Sequence, residues 1–262
     1  PALATRLSGS GKLSGHFDAL EGGGNLAVDG IPILGRVDSN LSYRDHAISI
    51  RKMQSNAFDG WVSGSARIDL NGAPRLADAE AHIFHANLSK LPLIGRFLSG
   101  RADVVATAKG LMDRPQTAIV ANLSELSIFN EKYADTTINA RSRQDRSGSL
   151  AFRLHRQRGG ELSVAARASH TGDLAGDIVL AGLPAESLAP LFGAGPAKFG
   201  GNVDAKFQLS GQVWPVFRPT ADGALTVTDS WFKNAFLGSA SLSVKRSGPG
   251  LLKIQGRLFQ GR

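Results

Sequence analysis

Residues 201–211 read Gly-Asn-Val-Asp-Ala-Lys-Phe-Gln-Leu-Ser-Gly, and this stretch decides the fold class. Val203, Phe207 and Leu209 alternate with polar or charged residues, and the small Ala205 keeps the same phase. A period of two places alternate side chains on opposite faces of a β-strand. The stretch therefore predicts a strand with one apolar and one polar face.

The same alternation recurs along most of the chain and defines a predicted apolar face. Its members are aliphatic, aromatic or small, and they are Leu41, Ile48, Ile50, Ile119, Ala121, Leu123, Leu150, Phe152, Val203, Ala205, Phe207, Leu225, Val227, Leu242, Val244, Leu252 and Ile254. Turn sequences separate these series, as in Asp-Arg-Ser-Gly at 145–148, where glycine can supply positive φ. We therefore predict an all-β fold of antiparallel hairpins.

Two segments interrupt the alternation, and both contain a Leu-Pro pair. They are residues 91–98 and residues 183–192. Proline is tolerated at the start of a helix, because its missing N–H would be unsatisfied there anyway. Each segment is predicted to form one or two helical turns.

Internal similarity divides the chain into repeats. Leu-Ser-Gly at 7–9, Ala-Lys-Gly at 108–110 and Leu-Ser-Gly at 209–211 are spaced 101 residues apart, and Ala-Arg at 66–67 recurs at 166–167. A period near 100 residues means that each repeat contains several hairpins. We predict the end of one repeat at 1–60, a second at 61–160 and a third at 161–262, in one elongated domain without linkers.

Composition indicates a folded chain and limits its chemistry. Hydrophobic residues make up 42% and charged residues 20%, which is typical of a chain that buries a core. The absence of cysteine excludes disulfides and thiolate metal sites. The net charge of +8 suits anionic lipid or nucleic acid, but no nucleic-acid-binding motif accompanies it. The chain opens without Met, a signal peptide or 18 consecutive apolar residues, so we expect an internal fragment.

The order of the motifs resembles the TamB-type repeats of the AsmA-like family. The resemblance rests on a strand ending in Leu, a short Leu-Pro-containing insert, and then residues 201–207, 209–211, Pro219, 223–227, 237–238 and 259–261. It implies an elongated sheet curled into an open groove with an apolar interior, in a periplasmic protein that is anchored to the inner membrane by a segment outside this chain. Relatives are implicated in moving phospholipid to the outer membrane and, with an outer-membrane β-barrel partner, in assembling outer-membrane proteins.

The residues themselves are compatible with such a groove. A sheet with one apolar face must cover that face, either with another layer or around a guest. Aromatic residues make up only 7% of the chain, and several predicted inward positions are alanines, which leaves room for a lipid. An acyl chain of about sixteen carbons gains roughly 12 kcal/mol from such shielding, at about 0.8 kcal/mol per buried CH₂. We expect conduction of phospholipid or another amphipathic lipid.

Two alternatives stay open at the sequence level. The sheet could be a scaffold for outer-membrane protein assembly, in which client strands pair with an exposed edge. It could also be a passive β-solenoid stalk or adhesin with a filled interior. The dense basic run from Arg141 to Arg158 is expected to lie on a solvated outer face, with contact to lipid headgroups as the alternative.

Motifs for catalysis and cofactor binding are incomplete. The Gly-Ser-Gly-Lys sequence at 9–12 lacks the first glycine of a phosphate-binding loop and is followed by leucine. The glycines at 22–24 are interpreted as a turn. Asp78, Glu80 and His82 would share one strand face while His85 points to the other, so no metal site is expected. We predict a protein that is not an enzyme and needs no cofactor.

Overall fold

A computed structural model describes residues 6–15, 20–31, 35–92, 95, 97–128, 131–188, 199–213, 218–233, 235–248 and 251–260. Its seventeen strands belong to one long antiparallel sheet that is open and is not closed into a barrel. The all-β prediction is confirmed. The chain divides into two compact units, Pro1–Ser124 with Asn139–Asp145 (unit 1) and Glu125–Ile138 with Arg146–Arg262 (unit 2).

Unit 1 is built on seven strands that pair in chain order. They are β1 (Arg6–Ser14), β2 (Glu21–Ile31), β3 (Gly35–Arg44), β4 (Ala47–Ala57), β5 (Gly60–Asp69), β6 (Arg75–Asn87) and β7 (Leu98–Leu111). Each strand is antiparallel to the next. At about 4.8 Å per strand, seven strands give a sheet roughly 30 Å wide.

Three strands cross the boundary between the units or lie beside it. They are β8 (Gln116–Ile128), β9 (Glu131–Lys132) and β10 (Thr136–Ser142). Unit 2 continues with β11 (Gly148–His155), β12 (Glu161–Ala168), β13 (Asp173–Pro184), helix α1 (Ala185–Leu188), β14 (Phe199–Gln212), β15 (Arg218–Phe232), β16 (Ala235–Gly248) and β17 (Leu251–Gln260). Strands β11 to β17 also pair antiparallel in chain order.

The two predicted helical inserts are short. Helix α1 begins directly after Pro184, as predicted, and residues 189–192 lie outside the described residues. A 3-10 helix at Leu88–Lys90 directly precedes the first predicted insert, of which residues 93, 94 and 96 lie outside the described residues. The Asn87 side chain accepts the Ser89 N–H at 3.1 Å and so starts this helix. Leu91 precedes a proline and is extended, which ends it.

Bulges in β4, β6, β13 and β15 keep the faces of the sheet consistent. The bulged residues are Lys52, His85, Gly182 and Asp229, whose φ values lie between 50° and 57°. At each bulge one strand contributes one residue more than its neighbour. Without a bulge, one extra residue would turn all following side chains to the opposite face. The apolar pattern continues on the same face beyond the bulges of β4, β6 and β13, at Met53, Ala86 and Leu183, whereas β15 continues with Ser230.

The same local geometry occurs in both units. The Asp103 carboxylate accepts the bulged His85 N–H at 2.7 Å, and the Asp204 carboxylate accepts the bulged Gly182 N–H at 2.9 Å. Gly100 and Gly201, three residues before these aspartates, both have positive φ. The two aspartates and the two glycines are each 101 residues apart, whereas the bulged residues are 97 apart. The repeat boundaries at 60/61 and 160/161 stay a prediction.

Candidate functional site

Strand register in unit 2 places apolar residues side by side on one face. One row contains one residue from each of β11 to β17: Phe152, Val164, Ile178, Phe207, Gly223, Val244 and Ile254. The next row contains Leu154, Leu162, Leu180, Ala205, Leu225, Leu242 and Gly256. Every position in these rows is apolar or glycine. The rows therefore form a continuous apolar face seven strands wide.

Two shorter rows extend this face in both strand directions. Leu183, Val203, Val227 and Ala240 lie opposite one another beyond the bulges, and Leu150, Ala166, Gly176, Leu209 and Ala221 lie on the other side. For Leu252 and Ile254 the backbone register alone is described, and these residues lie opposite Arg246 and Val244.

Exposure changes along the apolar face of unit 2. Val203 and Leu183 are only 2% and 3% exposed, and Ala205 is also buried. Helix α1 packs against β14 at this end, which accounts for the deep burial. Leu150 and Leu242 are 38% and 37% exposed. The face is thus covered at the bulged end and accessible to a ligand elsewhere.

The sequence analysis missed the contribution of β12 and β13 to this face. Leu162 and Val164 alternate with serine and alanine, a signal that could have identified β12. On β13, Ile178 to Leu183 is an almost continuous apolar run in which no alternation is visible. The bulge at Gly182 adds to this irregularity, because it places Leu180 and Leu183 on the same face.

The opposite face of unit 2 is polar. One row across it contains Arg153, Ser163, Val179, Lys206, Ala224, Ser243 and Gln255. Arg153 Nε lies 2.9 Å from a Glu161 carboxylate oxygen, and its side chain is 65% exposed. Arg153 and His155 therefore face away from the apolar rows, as their alternation with Leu154 predicted.

Arg156 is an exception to the predicted solvated basic run. Its side chain is 7% exposed, and its Nη2 lies 2.7 Å from a Glu131 carboxylate oxygen. The assignment of Arg156 to an open outer face was therefore wrong. The reason is a partner 25 residues away, whose position only the fold determines.

Unit 1 has its own apolar face. One row contains Leu13, Gly22, Tyr43, Ile48, Ile68, Leu76 and Gly110, and a second contains Gly11, Gly24, Leu41, Ile50, Ala66, Ala79 and Ala108. The predicted residues Leu41, Ile48 and Ile50 lie in these rows. Ile119, Ala121 and Leu123 lie on β8, and their place on an apolar face stays a prediction.

A cavity of about 450 Å³ opens on this face over β1 to β4. Leu13, Leu26, Leu41, Tyr43 and Ile48 line it together with the glycines at 9, 11, 22, 23 and 24. An open cavity lined mainly by aliphatic side chains and glycine suits an apolar ligand.

The interpretation of residues 22–24 as a turn was wrong, because they lie inside β2. A Cβ atom on Gly24 would stand 2.2 Å from the Ser10 carbonyl oxygen, so β1 and β2 could not pair this closely around a larger residue. These glycines therefore serve close strand approach and leave the cavity floor without side chains.

The histidines of the acidic and histidine cluster at 78–85 form two separate pairs. His82 Nε2 lies 2.6 Å from Glu80 Oε1, whereas His85 Nδ1 lies 3.2 Å from Asp103 on β7. Among the described residues, no three His, Asp or Glu side chains are placed to hold a metal ion. In the same part of the chain, no helix has the length and apolar character needed to cross a bilayer.

Comparisons with protein-family models, with curated proteins and with solved structures found no match to this chain.

Proposed function

We propose that this chain is a β-groove segment of a TamB-type, AsmA-like envelope protein that conducts phospholipid between the inner and outer membranes. The observation that carries the proposal is the set of apolar rows that cross seven strands in each unit. An acyl chain lying on such rows is shielded from water at every strand, at about 0.8 kcal/mol per buried CH₂. Because the opposite face of the sheet is polar, phospholipid contacts one face in this proposal and water contacts the other.

The apolar rows suit transport and not catalysis. Apart from the Tyr43 phenol, their side chains are aliphatic, non-titratable aromatic or absent, and such groups can neither move a proton nor attack a substrate. Neighbouring strands repeat the same lining about every 4.8 Å, so a lipid meets a similar environment at each step. In this proposal, the protein is not an enzyme and the repeated lining forms the path.

The cellular setting is the part of the proposal that rests on the family resemblance. It comprises a periplasmic location, an inner-membrane anchor outside this chain and an outer-membrane β-barrel partner. The net charge of +8 is compatible with work between membranes that contain anionic lipid.

Photo-crosslinking in cells tests the proposal with two adjacent residues on β14. Phe207 lies in an apolar row and Gln208 lies on the polar face. A photoreactive residue at 207 should capture phospholipid, identified by mass spectrometry, while the same residue at 208 should not. Protein adducts without lipid at 207 would instead favour an assembly scaffold or a stalk, and equal lipid capture at both positions would refute a sided path.

A further inference from the structure

A second cavity, of about 640 Å³, lies over the polar residues of β1 to β5 in unit 1. The register places Lys12, Gly23, Ser42, Ser49 and Arg67 directly opposite one another on successive strands. These residues alternate with the apolar rows, so this cavity opens on the face opposite the proposed lipid path. Gly23 has no side chain, which leaves open space between Lys12 and the two serine hydroxyls.

Positive charge predominates in this cavity. Lys12, Arg44, Arg51 and Arg67 line it, against the carboxylates of Glu21 and Asp45. Arg44 already engages Glu21 at 2.8 Å, and this guanidinium lowers the pKa of the Glu21 carboxyl below its usual value. Near neutral pH the Glu21 carboxylate is therefore ionised and already paired with Arg44.

The other three cations are available to a ligand. Among the described residues, no carboxylate forms an ion pair with Lys12, Arg51 or Arg67. Asp78 lies opposite Arg67 in the register, yet the two side chains form no ion pair. Three cations beside two hydroxyls, in a cavity of this size, form a receptor for an anion with several oxygen acceptors.

We propose that this cavity binds a phosphate-bearing ligand through Lys12, Arg51 and Arg67, with Ser42 and Ser49 as hydroxyl donors. Guanidinium groups pair with phosphate oxygens through parallel charge-assisted hydrogen bonds, and an ammonium adds a compact charge. The volume accommodates a diphosphate or a phospholipid headgroup together with water.

A third cavity shows why the charge balance matters. It is lined by Lys109, Arg141 and Arg143, but also by Asp78 and Glu80, and it has a volume of about 590 Å³. Its lining carries a formal charge of +1, against +2 for the cavity over β1 to β5, where four cations stand beside two carboxylates. The cavity over β1 to β5 is therefore the stronger candidate.

Calorimetric titration of the 262-residue chain with pyrophosphate at low ionic strength tests the site. Saturable binding is expected, and the double variant Arg51→Gln/Arg67→Gln should weaken it by about tenfold or more, since charge-assisted hydrogen bonds are lost. The charge-matched control is Arg167→Gln/Lys206→Gln, which removes two cations from the polar face of unit 2. This control should change the affinity by less than about twofold, because neither Arg167 nor Lys206 lines the cavity.

A conservative variant separates binding from folding. Arg51→Lys/Arg67→Lys keeps both charges and should bind pyrophosphate more tightly than the glutamine double variant. Sedimentation with phosphatidylglycerol vesicles then identifies the source of the phosphate. Vesicle binding that depends on Arg51 and Arg67 assigns the phosphate to a lipid headgroup. Binding of pyrophosphate without binding of vesicles assigns the phosphate to a soluble ligand. If the wild type bound neither probe, or if the control weakened binding equally, the proposal would be overturned. Lipid capture at Phe207 is a separate readout, so the two proposals can fail independently.

Discussion

At the scale of single residues, one buried cluster in unit 2 differs most from what its sequence indicates. Arg156 donates from Nε at 2.8 Å and from Nη2 at 2.7 Å to the same Glu131 carboxylate oxygen. Tyr133, also buried, forms an antiparallel bridge with Arg156 through the backbone. A charge that is withdrawn from water needs its partner, because the cost of desolvation is otherwise not offset.

Removing the carboxylate should therefore be costly. Glu131→Gln is expected to lower the free energy of unfolding by roughly 3 kcal/mol, because Arg156 stays buried without a counter-ion. Asp113→Asn is the control, since it removes the carboxylate of the exposed Arg114–Asp113 pair and should cost no more than about 0.5 kcal/mol. Urea unfolding measures both, and equal shifts in midpoint would contradict the assignment of Arg156 as buried.

Tyr133 gives unit 2 a distinct response to alkaline pH. Burial raises the pKa of its phenol, against the nearby Arg156 charge, which lowers it. The unfolded chain then loses this proton near pH 10, before the folded protein does. Stability linked to Tyr133 is thus fully present below about pH 10 and is lost as the pH rises further through the raised pKa. Urea unfolding at increasing pH should show a steeper loss for the wild type than for Tyr133→Phe, and parallel curves would exclude this contribution.

At the scale of elements, the sequence predicted regular strands well and irregular strands poorly. On β14, Val203, Ala205 and Phe207 alternate without interruption, and the register places each of them opposite an apolar residue or glycine. On β2, glycines resemble a turn because the sequence alone does not show how closely β1 approaches. On β13, the bulge changes the local period from two to three, so the pairing with β14 decides the faces. Local pattern thus predicts strands, while bulges and close approaches depend on the neighbouring strand.

The bulge in β4 offers a direct test of backbone strain at a non-glycine residue with positive φ. Lys52 has φ of 52°, a conformation that costs a residue with a side chain about 1 kcal/mol or more. Lys52→Gly should raise the free energy of unfolding by up to about 1 kcal/mol, because glycine adopts this conformation freely. Gln54→Gly, two residues along the same strand, should lower it by about 0.5–1 kcal/mol. Chemical denaturation compares them, and the same sign for both would argue against a bulge at Lys52.

At the scale of the whole molecule, the two units have the same arrangement: each apolar row continues from one strand to the next. Leu41 lies in a row of unit 1, beside the cavity over β1 to β4, and Leu242 lies in a row of unit 2. Both belong to the predicted apolar face. In the proposed function, phospholipid transfer requires the apolar face of each unit, so a block on either face limits the flux.

The need for both apolar faces makes a quantitative prediction for phospholipid transfer. Leu41→Glu and Leu242→Glu should each reduce phospholipid transfer between the membranes by about tenfold or more, because a carboxylate disfavours apolar contact. Because the delays of required steps add, the double variant should be slower than the slower single variant by no more than about twofold; independent effects would instead multiply. Ser63→Glu and Ser241→Glu place the same charge on the polar face of each unit, opposite His82 and Arg257, and should leave transfer unchanged. Transfer of isotope-labelled phospholipid to the outer membrane measures all five variants, and normal transfer in either single apolar-face variant would place the lipid path elsewhere.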